Sequence, residues 1–510
     1  MTGAQHRQIG KPTDPARGEC LLRRHWFSQS VRWSLTGWLV GGVAGSVRLI
    51  DRSQADDLPL GADASIPPTL SGVRSTRNRS VVEIDGAMRV PTPGGKIGQE
   101  KQQRFQAVST LDYQEHYVGD PLRASRVVRQ FSEAELKGQY GDVARHRELA
   151  DQRRLVLAWR DQQQWVYNSP DQPLLAAESD LAEGWLASWF LDAVQIETGL
   201  STGASVPLPL PLVAGLFRLD TVQSSTLAWQ LADRQGDIQR LTLRGEVAGG
   251  TAGGATEFSL QGKAHWDTEA KLVRWIGLSV KERRQPTAAR PGYDVQARIR
   301  LIRQPIEKAT AETTLDGLSW LSGPVDANMM RLRRIESPVG GYHFLASDQW
   351  VLISDSGDRA VMRLIDQQQT LAQCSISVLV PLEPGRQLTL EGFQADCIRA
   401  LGESFGSLVE SHEGLTSGGL RRLTVVMDGQ SRNLPMRWVS VHVSDDSGRR
   451  LTLSFASEGQ YADRLAAADQ QIIDSMVMVD LETSEEPPES TDSTEAARRA
   501  ASALRAGSPR

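Results

Sequence analysis

The sequence predicts an α+β fold class in two unequal parts, a mainly antiparallel β portion followed by an antiparallel sheet flanked by helices. Three observations carry this expectation. From about Val81 to Pro305 most runs are short, β-branched or aromatic, and alternate in polarity with period two. From about Ser337 to Asp480 two stretches switch to the helical period and separate groups of three strands. Residues 306–336, between these parts, are polar and weakly periodic, and read as a linker.

At the amino terminus, residues 1–55 read as a signal sequence. Arg23 and Arg24 precede the uncharged run Trp33 to Val47, which Gly37, Gly41, Gly42 and Gly45 interrupt. A spanning helix needs about 20 mostly apolar residues, and this run is shorter. A basic n-region, a brief apolar run and small residues before a cut, here Ser53-Gln54-Ala55, fit secretion better. With Phe27 close behind, the arginine pair resembles a twin-arginine export signal. The expected location is periplasmic or otherwise extracytoplasmic, with membrane contact only through the signal; a single-pass membrane anchor is the alternative.

Charge agrees with export and excludes one class of partner. Residues 1–55 hold eight Lys/Arg against three Asp/Glu, and the remainder carries 49 basic and 59 acidic residues, a net −10. Nucleic-acid binding wants a clustered positive surplus, so no nucleic acid is expected as a partner. The next segment, 56–80, is rich in Pro, Gly and Ser and reads as a flexible lead-in.

The β-rich part, 81–305, begins with "QRFQAVSTLDYQEHYV" and "SRVVRQFSE", and "RRLVLAWRDQQQWVYNS" adds two short runs about Asp161-Gln162-Gln163. In "LAEGWLASWFLDAVQI" Leu181, Trp185, Trp189, Ala193 and Ile196 recur at helical spacing, which predicts a covering helix. Five further runs, "TLAWQLAD" to "YDVQARIRLIR", are separated by short turns and predict an antiparallel meander. A curved sheet or open half-barrel with the helix across its mouth would bury the inward face.

In the second part, 337–480, "QWVLISDSGDRAVMRLID" predicts a hairpin, and "CSISVLVPL" a third strand with Cys374, Ile376, Val378 and Val380 on one face. Leu390, Phe393, Cys397, Leu401, Phe405 and Leu408 form a helical stripe. Three strands follow, turning at Asp428-Gly429 and Asp445-Asp446-Ser447-Gly448, and Leu465, Ala468, Ile472, Ile473 and Met476 mark a last helix. Residues 481–510 are polar and read as a disordered tail.

Three resemblances follow from these runs. "PMRWVSVHVSDDSGRRLTLSFAS" leading into "ADRLAAADQQIIDSM" resembles the PsbP-like family, which implies an α/β/α sandwich with binding or assembly roles and no shared catalytic centre. "ATEFSLQGKAHWDTEAKLVRWIGLSVKERRQ" with "PGYDVQARIRLIRQP" is similar to a module of exported bacterial proteins of unassigned function, and the topology is similar to half-barrel lipoprotein carriers of the LolA type. None of the three resemblances implies a site residue.

Candidate chemistry is sparse. Trp185, Trp189, Trp229 and Trp266 make the β-rich part aromatic, which suits either an apolar ligand cavity or plain core filling. Cys374 and Cys397 both point inward and are candidates for a disulfide in an oxidising compartment, or for two core thiols. "AGGTAGGAT" lacks the Gly-Lys-Ser/Thr of a phosphate loop, and "SDSGD" lacks the later glutamate of a calcium loop, so both read as turns. "GESFG" matches Gly-x-Ser-x-Gly at Ser404, but a nucleophile elbow needs a strand before it and a helix after it. His116, His412 and His442 are scattered, no metal-ligand spacing occurs, and no catalytic residue, cofactor or metal is expected. The expected function is an exported, non-catalytic binding or envelope-associated protein, with an apolar ligand or envelope protein as partner. An envelope hydrolase whose residues converge only in the fold is the alternative.

Overall fold

The computed structural model describes residues 73–91, 100–161, 164–194, 201–251, 254–287, 291–306, 318–366, 369–383 and 385–479. The expected signal sequence, the lead-in as far as residue 72 and the expected tail 481–510 lie outside the described residues. Among those described, antiparallel β structure dominates an α+β chain. Among the described residues no helix is long and apolar enough to cross a membrane.

The first part opens with β1 (Val73–Pro91), β2 (Glu100–Val118), β3 (Arg126–Tyr140), β4 (Val143–Glu148), β5 (Leu155–Asp161) and β6 (Gln164–Asn168). Then come α1 (Ser179–Glu183), a 3-10 turn at Ser188–Ala193, β7 (Ser205–Pro207) and α2 (Leu210–Phe217). It closes with β8 (Thr221–Ser225), β9 (Ala228–Gln235), β10 (Ile238–Thr251), β11 (Gly254–Asp267), β12 (Leu272–Arg284) and β13 (Gly292–Pro305). The spatial order is β6-β5-β3-β2-β1-β13-β12-β11-β10-β9-β7, with β4 beside β3 and β8 beside β10.

The expected meander is β9 to β13, but β1 begins at Val73, inside the segment read as a flexible lead-in. It lies between β2 and β13, so that Val82 stands opposite both Ser109 and Ile299, and it joins the two halves into one sheet. Its polar stretch hides the strand because Thr76 and Asn78 point inward and are buried all the same.

The expected covering helix is not continuous. Gly184, at φ +65°, ends α1 after five residues, and the chain resumes as the 3-10 turn. A glycine takes that backbone conformation without Cβ strain, which explains the break within an otherwise helical spacing. Trp189, Phe190 and Leu191 nonetheless pack into the same large core as the inward rows of the sheet. Gly215 of α2 lets that helix lie directly on Phe190: a Cβ there would stand 2.5 Å from the ring.

The second part holds α3 (Ala327–Met330), β14 (Leu332–Ser337), β15 (Tyr342–Ser347), β16 (Trp350–Asp355), β17 (Arg359–Asp366) and β18 (Gln369–Leu379). After these come α4 (Leu390–Leu401), β19 (Phe405–Leu415), β20 (Arg421–Ser431), β21 (Leu434–Ser444), β22 (Arg450–Glu458), α5 (Ala462–Asp474) and β23 (Val477–Met478). Seven strands order as β16-β17-β18-β22-β21-β20-β19, and β14-β15-β23 make a small separate sheet.

Strand alternation gives the seven-stranded sheet two different covers. Cys374, Ile376, Val441, Leu453 and Phe455 face α5, through Leu465, Ile472 and Ile473. Leu423, Val425, Met427, Trp438 and Ala456 face α4, through Phe393, Cys397 and Leu401.

Two expectations fail here. The helical stripe stops at Leu401, where Gly402 takes φ +53°, so Phe405 and Leu408 belong to β19, a strand the apolar spacing had concealed. Strand β20 also runs through Asp428-Gly429 to Ser431, and the turn falls at Arg432-Asn433, both left-handed at φ +53° and +67°. That pair matches the two-residue turn whose twist suits a hairpin.

The segment read as a linker, 306–336, carries α3 and most of β14, and from Leu318 onward it lies on the β-rich part. Met330 packs with Val128 and Leu157, and Trp320, Leu321 and Val325 add to that cluster.

Candidate functional site

Glu115 and Arg129 occupy inward positions of β2 and β3, where alternation places them in the rows Leu111, Tyr113, Tyr117 and Val127, Phe131. Both are 0% exposed and form an ion pair, Arg129 Nε donating to Glu115 Oε2 at 3.1 Å. Arg129 Nη1 donates to the carbonyls of Ala182 and Glu183 at 2.9 and 3.0 Å, capping the end of α1. Its guanidinium also lies over the rings of Tyr113, Trp189 and Tyr167, at 4.9, 5.1 and 5.7 Å from their centroids.

A second buried pair sits nearby. Arg303, inward on β13, donates to Asp192 at 2.6 and 3.2 Å, and its Nε donates to Asn78 at 3.0 Å. Tyr117 adds a phenolic hydrogen bond of 2.5 Å to the same carboxylate. Ser188 donates to Glu115, at 2.7 Å from Oε2, and meets the Tyr113 hydroxyl at 2.9 Å.

Most of these contacts tie the segment 178–194 to the elements under it. Glu178 receives Arg153 at 2.7 and 2.9 Å, and Glu183 receives Arg218 at 2.5 Å. The chain therefore crosses the inner face of the sheet pinned by Glu178, Glu183, Ser188 and Asp192, with Leu181, Leu186, Trp189 and Phe190 buried between the pins.

Burial governs the protonation of this layer. The Tyr167 hydroxyl is pushed up to about 12, chiefly by desolvation. Tyr117 rises as well, through desolvation and then the charge of Asp192. Burial disfavours the charge on Arg129 and Arg303, but their acidic neighbours outweigh it and both rise. Such a site is a set of matched charges rather than a reactive centre, because each guanidinium already has its anion.

The residues singled out in the sequence fall as follows. Trp189, Trp229 and Trp266 are buried and Trp185 is partly buried, all four against one core cluster. Two surface hollows, of about 390 and 540 Å³, are lined by other residues, among them Glu413, Arg421 and Asp445 in the first and Glu83, Lys137 and Arg298 in the second. Cys374 and Cys397 are free thiols in two separate core clusters, one beneath α5 and the other on α4, so no bridge joins them.

Ser404 follows a helix and precedes a strand, the reverse of a nucleophile elbow. "SDSGD" is a turn in which Asp355 accepts from the Gly357 N–H. "AGGTAGGAT" spans the ends of β10 and β11, where a Cβ on Gly249 would run into the Thr221 carbonyl oxygen.

His412 is exposed on β19, 3.3 Å from Glu410. His442 is buried beside Phe393, with centroids 5.7 Å apart. His116 accepts or donates a 2.8 Å hydrogen bond with Ser75 through Nδ1, while its Nε2 is buried without a partner. The pair lies on the opposite side of the sheet from Glu115, and among the described residues no carboxylate completes it.

Sequence reasoning passed over Glu115, Arg129, Asp192 and Arg303. For three of these the signal was present: Glu115 after Tyr113, Arg129 after Val127, and Arg303 after Leu301 each place a charge two residues along an apolar row. Asp192 had no such signal, because it sits on an irregular turn.

No family model matches the chain, and no curated protein matches it. Among solved structures, the Saccharomyces cerevisiae Ran-binding protein Mog1p is similar at 10% identity and a TM-score of 0.24, over 29% of this chain and 96% of that one. A lipovitellin structure matches at 9% identity and 0.27, over 46% and 26%. The outer membrane protein OprD from Pseudomonas aeruginosa matches at 10% identity and 0.12, over 76% and 94%.

Proposed function

We propose that this is an exported, non-catalytic binding protein that keeps an apolar ligand against the inner face of its large sheet, beneath the segment 178–194. In this reading the β-rich part is a half-barrel, and the second part is a PsbP-like α/β/α sandwich that docks it to an envelope protein. The observation that carries the proposal is the construction of the crossing segment: its apolar side chains fill the interior, while its polar ones are latched to arginines and to Glu115. A cover held by discrete polar pins can be released as a unit, and its release would expose a continuous apolar surface. Helices α4 and α5 on opposite faces of the seven-stranded sheet support the sandwich. The proposed location is the periplasm, reached through the signal sequence at residues 1–55.

The hydrolase alternative has one observation in its favour, the Ser75–His116 hydrogen bond. Among the described residues no carboxylate orients that histidine, whose Nε2 has no partner, and both residues lie on the other face of the sheet from Glu115.

Native mass spectrometry of the protein purified from its own host tests the proposal, together with an oleate titration followed by tryptophan fluorescence. Retained lipid, or a saturable change that Trp189→Phe reduces, is the expected result. The absence of both a retained mass and a saturable response would remove the apolar ligand from the proposal.

A further inference from the structure

The face of the seven-stranded sheet that carries α4 is divided. Its apolar half, from Leu423, Val425 and Met427 to Trp438 and Ala456, lies with that helix. Register then leads across β22 and β18 to a polar half: Ser375 stands opposite Ser454 and Val361, Ser377 opposite Thr452 and Arg359, and Gln373 opposite Arg363. Arg359 and Arg363 are four residues apart on β17, about 13 Å along the strand, and Ser375 lies opposite the residue midway between them.

Two residues of this half carry buried polar atoms without a hydrogen-bond partner. The Nε and Nη2 of Arg359 are buried without a hydrogen-bond partner, and so is the Oγ of Ser375, a residue 2% exposed. Nε and Nη2 form the side-on edge of a guanidinium, the edge that takes a two-oxygen anion in parallel hydrogen bonds. Elsewhere in this chain the same edge is filled. Arg437 donates through it to both Asp428 oxygens at 2.8 and 2.9 Å, and Arg77 to both Asp112 oxygens at 3.1 and 3.2 Å.

We infer that Arg359, with Ser375 and Ser377 on the neighbouring strand and Arg363 farther along its own, is the centre of a binding site for an oxyanion, either a phosphate group or a carboxylate, presented by a ligand or partner at this face. The anion would place two oxygens on the Arg359 edge and receive the Ser375 hydroxyl as a third donor. Burial works against the charge on Arg359 and Arg363 and lowers both from their ordinary values, at Arg359 in spite of the opposing charge of Asp358, and a bound anion would relieve that cost. The inner-face arginines do not compete for this role, because Arg129 and Arg303 are each paired with a carboxylate of the chain.

The test uses the full chain, titrated by calorimetry with inorganic phosphate and, separately, with acetate at constant ionic strength. Saturable binding of either supports the site: preference for phosphate identifies a phosphoryl ligand, and preference for acetate a carboxylate such as a peptide terminus. Arg359→Gln is expected to weaken that binding roughly ten- to a hundredfold, and Ser375→Ala by a smaller factor. Arg437→Gln, whose partner is Asp428, is expected to leave it unchanged. Should Arg359→Gln fail to fold by circular dichroism, Arg359→Lys replaces it, keeping the charge but losing the two-donor edge. No saturable binding of either anion at tens of millimolar, or binding unaltered in a folded Arg359 variant, overturns the inference.

Discussion

Asp192 and Arg303 stand 111 residues apart in sequence and meet through two hydrogen bonds, with side chains 2% and 0% exposed. One belongs to the irregular segment crossing the inner face and the other to the last strand of the large sheet. Removing one partner of such a pair leaves the other charged and buried, which costs about 3 to 5 kcal/mol. Asp192→Ala should therefore lower the midpoint of denaturant unfolding sharply. Replacing both residues with apolar side chains of similar volume should cost much less, and equal losses in the single and double variants would refute the coupling.

Asn168 makes the junction between the two parts of the chain. Its amide donates to the carbonyls of Met330 and Leu332 at 3.1 and 2.8 Å, and its oxygen accepts the N–H groups of Ser169 and Leu174 at 3.0 and 2.8 Å. The Ala176 N–H then donates to Arg334, and Arg334 to Leu174, so the start of β14 runs beside the approach to the crossing segment. Each buried backbone group left unsatisfied costs roughly 1 to 3 kcal/mol. Limited proteolysis should spare Leu318–Ser337 in the native protein and cut there in Asn168→Ala. Cleavage of the unaltered chain at the same sites would contradict the docking.

What could be read in advance followed from periodicity, and what could not followed from single residues that interrupt it. The strands β9 to β13 were legible because Leu241 and Leu243 alternate cleanly with Thr242 and Arg244. Strand β1 was not, since burying Thr76 and Asn78 makes sense only once Arg303 is seen beside them. The pins of the crossing segment were half legible: Glu115 and Arg129 each break an apolar row, but their meeting depends on the pairing of β2 with β3. Phe405 and Leu408 continued the spacing of α4 past its end, and the left-handed Gly402 was the only local sign that the helix had stopped.

The two thiols give a prediction free of ligand identity. Cys374 is fully buried and Cys397 nearly so, and burial raises both, Cys397 to about 12. Thiolate is the reactive form, so neither should react with a thiol reagent at neutral pH in the native state. Both should label once the chain is unfolded without reductant, because no bond joins them. A mass lower by two hydrogens under non-reducing conditions, with labelling only after reduction, would show a bridge instead.

Stability against pH combines two opposing shifts. Asp469, 6% exposed on α5 and near Cys374, is raised to about 6 by burial. An aspartate raised on folding favours the folded state below its ordinary value, and that benefit is lost as pH climbs through about 6. Asp469→Asn should therefore stabilise the protein at pH 8, by about 1 to 3 kcal/mol, with little effect near pH 3. His116 and His442 act the other way. Burial lowers each from 6.5 to about 4, so the unfolded chain binds more protons between those values and stability falls as pH drops through that window. Thermal melts of the wild type and of Asp469→Asn across this range should show the variant's advantage growing from pH 5 to pH 8. An advantage of the same size at every pH would mean that the gain comes from packing and not from the charge of Asp469.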